Sequence, residues 1–297
     1  LLTIFTTPKP FRDHIGVIQR NAIRSWKQLF PDVEIILFGP EEGAAEVCAE
    51  FGLRHEPNVE RNAFGTKRID YIFRRAQEIA SHEYLCYVNC DIILLQDFAQ
   101  AFLRVREAHK RFLMVGRRWD TPVTEVISEF SSASESKLRE FVARSGVKQP
   151  GYSVDYFLFT KGLYSEMPPL VIGRIWWDHW LVYHAVDSGA DVVDVSTEVL
   201  AVHQNHDYGY HPAGAAGVWN DEQARSNYEN AGGRWHLYTI DDATHILEGG
   251  SERANLRRYF APYWRVLRPR VIPAWHGLLD VTRPVRQRLG LRQGKAT

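Results

Sequence analysis

The chain opens on a short run of apolar and β-branched residues, "LLTIF", which stops at the prolines of "TTPKPF" and so predicts a buried strand ending in a loop. Ile15, Ile18, Ala22, Trp26 and Leu29 then recur at helical spacing until Pro31 ends the series. "VEIILF", positions 33–38, reads as a second buried strand, followed by Gly39-Pro40 and a helix from about Gly43 to Phe51. A further helix over 65–80 carries Ile69, Ile72, Phe73, Ala76 and Ile79 on one face, and the strand "YLCYVNCDIILL" comes next. Strands alternating with helices predict an α/β fold with a mostly parallel central sheet covered on both faces.

The second half is less regular. A helix near 98–108, strands at 112–115 and 154–159, a helix from about Asp178 to Ser188 and the strand-like runs "ADVVDV" and "EVLAVH" are the readable elements. No internal repeat is visible. From Gln204 to Gly233 the chain is polar and holds five glycines, which predicts long loops over a site rather than core. A helix is expected around Arg253–Arg265, with Pro262, Pro269 and Pro273 breaking it.

With 45% hydrophobic and 24% charged residues in 297, the chain can bury a large core, which excludes a disordered chain or a disulfide-stapled miniprotein. No stretch approaches the roughly 20 uninterrupted apolar residues of a spanning helix. Three cysteines with no paired spacing, Cys48, Cys86 and Cys90, suit a reducing compartment, so a cytoplasmic location is expected. The formal charge is zero, from 36 basic and 36 acidic residues, and no nucleic-acid partner is expected. The charge is nonetheless divided: Ser251–Thr297 holds eleven Lys or Arg against Glu252 and Asp280, leaving the first 250 residues acidic.

Asp91, at the end of a buried strand, is placed either to satisfy turn amides or, beyond the carboxyl end of a parallel strand, to meet a phosphate-bound metal. His203, His206, Asp207 and His211 crowd into nine positions after an apolar strand, a mixture that suits Mn²⁺, Zn²⁺ or Fe²⁺; a solvated histidine-rich loop is the alternative. Asp178 in "GRIWWDHWL" opens a helix among three tryptophans, either as its N-cap or as a general base toward a sugar hydroxyl stacked on the rings. Trp176, Trp177 and Trp180 are equally well core residues. Lys9, Arg12, Lys67 and Arg68 near strand ends and helix starts suit phosphate, although a solvated helix face is the common fate of a pair such as Lys67 and Arg68. Neither a GxGxxG fingerprint nor a Walker loop is present.

In order along the chain, "FTTPKPF", "ILFGPEE", "FGTKRIDYIF" and "VNCDIIL" resemble the nucleotide-sugar half of a GT-A (Rossmann-like) glycosyltransferase, over roughly Leu2–His211. The resemblance implies one domain over 1–250, with a nucleotide-sugar half at 1–118 and an acceptor half at 119–250, and a basic C-terminal extension at 251–297. The DxD-type motif would be Asn89-Cys90-Asp91, so that Asp91 is its one carboxylate. It further implies donor binding by Thr6, Thr7, Lys9, Lys67, Arg68, Asp70, Asn89 and Asp91, and metal binding by Asp91 with His203 or His206. Asp178 matches the catalytic base, and Asp155, Tyr156 and Trp177 lie on the acceptor side.

The reaction so implied is transfer of a hexosyl or pentosyl group from a nucleoside diphosphate sugar, with Mn²⁺ or Mg²⁺, to a carbohydrate or lipid-linked acceptor. Asp178 across from the leaving group would give inversion; without a base there, retention stays open. The basic extension would hold the enzyme at the anionic inner membrane face. Two other classes compete: a metal-dependent phosphoesterase built on His203, His206 and Asp207, which the early strands oppose, and a carbohydrate-binding module stacking sugars on the nine tryptophans, although such modules are usually β-sandwiches.

Overall fold

The computed structural model describes residues 1–206 and 218–259, so Asp207, His211 and the chain beyond 259 lie outside the described residues. In the first half the elements are β1 (Leu2–Thr6), α1 (Asp13–Lys27), β2 (Glu34–Phe38), α2 (Ala44–Phe51), β3 (Arg54–Glu56), α3 (Ile69–Ile79), β4 (Tyr84–Val88), β5 (Ile92–Ile93), α4 (Gln96–Ala108), β6 (Phe112–Val115) and β7 (Arg118–Thr121). The second half adds α5 (Ser132–Ser145), β8 (Val147–Lys148), β9 (Tyr156–Thr160), α6 (Trp177–Asp187), β10 (Asp191–Asp194), β11 (Ala201–Gln204), α7 (Glu222–Asn230), β12 (His245–Glu248) and β13 (Ser251–Ala254).

Among the described residues nine strands form the main sheet, in the order β13-β12-β10-β6-β9-β4-β1-β2-β3. It is mostly parallel, as the alternation of periods predicts; β9 runs antiparallel to both β4 and β6, and β13 closes one edge as an antiparallel hairpin with β12. Successive strand residues face opposite sides of a sheet, and the core divides accordingly. Leu2, Ile4, Cys86, Val88, Tyr156 and Leu158 pack with α1 and α4 on one face. Phe5, Leu85, Tyr87, Phe157 and Phe159 pack with α3 and α6 on the other. With both faces covered, the strands read as continuous apolar runs rather than alternating ones.

The expected long strand over "YLCYVNCDIILL" is two. β4 ends at Val88, the chain turns through Asn89-Cys90-Asp91, and it re-enters as β5 in a second sheet, order β5-β11-β7-β8. α1 is stitched to this small sheet by buried polar groups: Trp26 Nε1 donates to Ile92 O (2.9 Å), Asn21 Nδ2 to Gln204 Oε1 (3.0 Å), and Gln204 Nε2 to Ile18 O (2.7 Å) and Asp91 O (3.1 Å).

Two expectations need correction. Part of the polar stretch over 204–233 is a helix, α7, whose N-cap Asp221 accepts the Ala224 amide. The helix expected around 253–265 does not begin there: Ser251–Ala254 pair with β12, and a short 3-10 turn follows at Leu256–Tyr259. By packing, the described residues of Leu1–Asn255 form one compact unit. Among the described residues no helix is long and apolar enough to cross a membrane.

Candidate active site

A cleft of about 590 Å³ opens where β1 and β4 end, lined by Lys9, Lys67, Asp91, Asp155, Asp178 and His206 among others. Its floor is set by register in the small sheet. His203 on β11 lies opposite Ile92 of β5, next to Asp91, and opposite Asp120 of β7. The strand pairing therefore carries an imidazole between two acids distant in sequence. His206 follows β11 and its Nε2 lies 3.0 Å from Asp91 Oδ2 and 3.0 Å from Lys9 Nζ. Asp91, His203 and His206 offer ligand atoms all within 4.8 Å of one another. Asp91 Oδ1 is buried with no hydrogen-bond partner. His203 Nδ1 is 3.0 Å from Asp120 Oδ1 but out of hydrogen-bonding alignment.

Burial favours the neutral form of Asp91, yet the hydrogen bond with His206 and the electrostatic pull of His203, Lys9 and His206 outweigh it and hold the carboxyl far below its usual range. Asp120 behaves likewise: burial raises it, and His203 and Arg118 bring it below the ordinary value.

Beside the trio runs a chain of satisfied polar groups. Tyr87 OH donates to Asn89 Oδ1 (3.0 Å), Asn89 Nδ2 to Asp155 Oδ1 (2.5 Å), and Arg118 to Asp155 Oδ2 and, through Nε, to Asp120 Oδ1 (2.9 Å). Both Asp155 oxygens are thus engaged.

Asp178 reaches the cleft by another route. It is not the N-cap of α6; Trp176 caps that helix at φ 89°, a left-handed conformation rare for a bulky residue, and Asp178 stands in the first turn. Asp178 Oδ1 is buried without a partner, and the nearest cation is His179, whose Nε2 is 4.0 Å from Oδ2. Burial, only partly opposed by His179, raises its carboxyl above the ordinary range. Trp177 lines the cleft while its ring packs against Tyr87 and Phe157, with centroids at 5.3 and 5.7 Å.

The other sequence candidates divide. Lys67 lines the cleft, ion-paired to Glu41 (2.7 Å) and donating to Thr7 Oγ1 (2.5 Å); burial lowers its pKa against the pull of Glu41. Thr7 and Asn89 line it too. Thr6, Arg68, Asp70 and Tyr156 do not. Thr6 is inside β1 and fully buried, Arg68 turns away from Lys67 to pair with Asp70 (2.5 Å) and Glu60 (3.5 Å), and Tyr156 points to the opposite sheet face from Asp155, against Phe98. The reading from sequence missed Arg118, Asp120 and Arg174. Arg174 lines the cleft and its Nε bonds Asp221 Oδ2 (2.6 Å); the paired charges of "GRRWD" were the available signal for the other two.

No family model and no curated protein matches the sequence. Among solved structures the chain is similar to residues 1–349 of TarS from S. aureus, at 10% identity over 68% of this chain and 60% of that one, with a TM-score of 0.46. The same fragment in complex with UDP-GlcNAc matches at 12% identity over 69% of this chain and 58% of that one, TM-score 0.46. Glucosyl-3-phosphoglycerate synthase from Mycobacterium tuberculosis, in complex with Mn²⁺, UDP and phosphoglyceric acid, matches at 13% identity over 69% and 71%, TM-score 0.42. The chain spans less than two thirds of the length of the TarS fragments. At 10–13% identity the likeness is one of fold.

Proposed function

We propose that this chain is a metal-assisted glycosyltransferase that moves a hexosyl or pentosyl group from a nucleoside diphosphate sugar to an acceptor hydroxyl. The observation that carries the reading is the convergence, on one cleft, of the Asp91–His203–His206 trio and the carboxylate of Asp178, whose buried Oδ1 has no hydrogen-bond partner. The residues fit a divalent ion: Asp91 Oδ1 is a buried acceptor with nothing to accept, and two imidazoles with one carboxylate suit Mn²⁺ better than Mg²⁺. Bound there, the ion would act as a Lewis acid on the departing diphosphate.

The protein's own groups do the rest. Lys9, 3.8 Å from Asp91 Oδ2, adds positive charge beside the trio, and Lys67 and Arg174 extend it along the cleft. Asp155, engaged on both oxygens, orients Asn89 and Arg118 and is not disposed to act as nucleophile. Asp178 takes the acceptor proton as the hydroxyl oxygen bonds to the anomeric carbon and the carbon–oxygen bond to diphosphate breaks, with its electron pair leaving on the diphosphate. Such a single displacement inverts configuration. Trp177 supplies an apolar face beside the base for a sugar ring. The excess of basic residues from Ser251 onward supports a lipid-linked acceptor at an anionic surface, since each such residue near the surface contributes about 1 kcal/mol.

Purified protein incubated with a panel of nucleotide sugars and Mn²⁺ should hydrolyse one donor slowly and be stabilised by its nucleotide. Asp91→Ala should remove the Mn²⁺ dependence of donor binding. No response to any donor, or equal donor affinity in excess chelator, overturns the reading.

A further inference from the structure

A second cluster of metal-ligating side chains lies at the opposite end of the main sheet. The cleft is at the carboxyl ends of β1 and β4. β6 runs in the same direction, and His109, the C-cap of α4, lies three positions before its first residue. β10 and β12 are parallel to β6, and Asp191 and His245 are their first residues. β13 returns antiparallel, with Glu252 opposite Leu247. By the alternation of strand residues, Asp191, Val193, His245, Leu247 and Glu252 all present to one face, the face on which α4 packs. Three distant parts of the chain, the end of α4, the start of β10 and the β12–β13 hairpin, thus deliver two imidazoles and two carboxylates to one point.

The geometry there is directional. His109, 8% exposed at its side chain, has Nδ1 2.8 Å from Asp191 Oδ2 and Nε2 2.8 Å from both oxygens of Glu252. His245 Nδ1 is 2.8 Å from Thr244 Oγ1 and 3.8 Å from Asp191 Oδ1, and its Nε2 is 3.9 Å from Glu252 Oε1. Both rings therefore turn their Nδ1 edges toward Asp191 and Thr244 and their Nε2 edges toward Glu252. A carboxylate on the far nitrogen is how a protein fixes the tautomer and orientation of a metal-bound histidine. One ligand atom each from His109, His245 and Glu252 lies within 4.8 Å of the others. In a tetrahedral site with bonds of about 2.0–2.2 Å the ligands stand roughly 3.4 Å apart. Reaching that spacing needs His109 and Glu252 to part, and His245 and Glu252 to close, by well under an ångström.

We propose that His109, His245 and Glu252 form a binding site for a divalent transition ion of the Zn²⁺ class, with Asp191 positioning His109 from behind and a fourth position left for water. The two-imidazole, one-carboxylate donor set disfavours Ca²⁺ and Mg²⁺. The ion would tie the β12–β13 hairpin, at the edge of the sheet, to the end of α4, and so acts on stability rather than on the chemistry of the cleft.

The test is Zn²⁺ alone, titrated into the full chain against a chromophoric chelator, for the wild type, His245→Ala, Glu252→Gln and Asp91→Ala. His245→Ala, at a half-buried position, should fold where a change at buried His109 need not. One Zn²⁺ equivalent should be lost in His245→Ala and Glu252→Gln and retained in the hairpin site of Asp91→Ala. The wild-type Tm should rise by about 5 °C at a hundredfold excess over Kd, with the rise abolished in His245→Ala. Co²⁺ should give the visible bands of a tetrahedral site that vanish in the same variant. Equal stoichiometry and equal Tm response in wild type and a folded His245→Ala would overturn the proposal, leaving His109 as an imidazolium held between two acids. Because Asp91→Ala leaves this site intact, failure here is separable from failure of the transferase reading.

Discussion

At the scale of single residues, the site turns on two carboxylates that burial treats alike and partners treat differently. Asp91 has His206, His203 and Lys9 around it and stays ionised; Asp178 has His179 at a distance and backbone amides that offset its burial only in part, with Asp155 adding repulsion, and its proton is held to higher pH than in an ordinary carboxylic acid. A base must be deprotonated to act, so with a raised pKa its active form is lost as pH falls at a higher value than an exposed Asp would give. The acid limb of a kcat/KM profile is expected above the ordinary carboxylate range, and Asp178→Asn should lower kcat by about 10²–10⁴ with donor Kd unchanged and the limb gone. Turnover retained in that variant would return Asp178 to a structural role. Arg118 is the complementary case, a half-buried cation between Asp155 and Asp120. Arg118→Met leaves Asp155 buried and unpaired on that side, and a loss of about 3–5 kcal/mol is expected in denaturant unfolding.

At the scale of elements, the junction between the two sheets is the sensitive place. β6 belongs to the main sheet and β7 to the small one, with Gly116 and Arg117 alone between them. A Cβ on Gly116 would lie 2.0 Å from Tyr156 OH, a hydroxyl with no hydrogen-bond partner on a fully buried ring. Gly116→Ala is expected to cost about 1–3 kcal/mol by overpacking, and Tyr156→Phe in the same chain should restore part of it. An additive double-mutant cycle would place the strain elsewhere. Elements are also where legibility in the sequence changes. Most helices and strands of the main sheet up to Val115 were readable because each is long enough to show a period; β3, with three residues, was not. The small sheet was not, since β5 and β8 have two residues each and β7, "RWDT", is largely polar. Without β7 in view, nothing in the sequence joins Asp120 to His203; that contact exists only through the pairing of β7 with β11. α7 was hidden by composition, although Asp221 before "EQA" was a legible cap. His109 has no local spacing to His245 and Glu252, and only the parallel alignment of β6, β10 and β12 brings it to the β12–β13 hairpin that carries them.

At the scale of the whole molecule, the two ends of the sheet have separate tasks: the carboxyl ends of β1 and β4 carry the proposed chemistry, and the opposite edge of β6, β10 and β12 carries the proposed staple. That division follows from direction, since parallel strands gather their leading residues at one rim and their trailing residues at the other. β11 also has a consequence for when the protein becomes competent. It is the last strand of the small sheet in sequence but sits between β5 and β7, and His206 meets Asp91 across 115 positions. Closing a loop of that length costs entropy before any pairing repays it. A chain still emerging from the ribosome can complete the β1–β4 core long before residue 201 exists, yet it has nothing to seat between those two strands. On the proposed reading the donor site therefore stays incomplete in the nascent molecule until β11 has been made and has paired between β5 and β7.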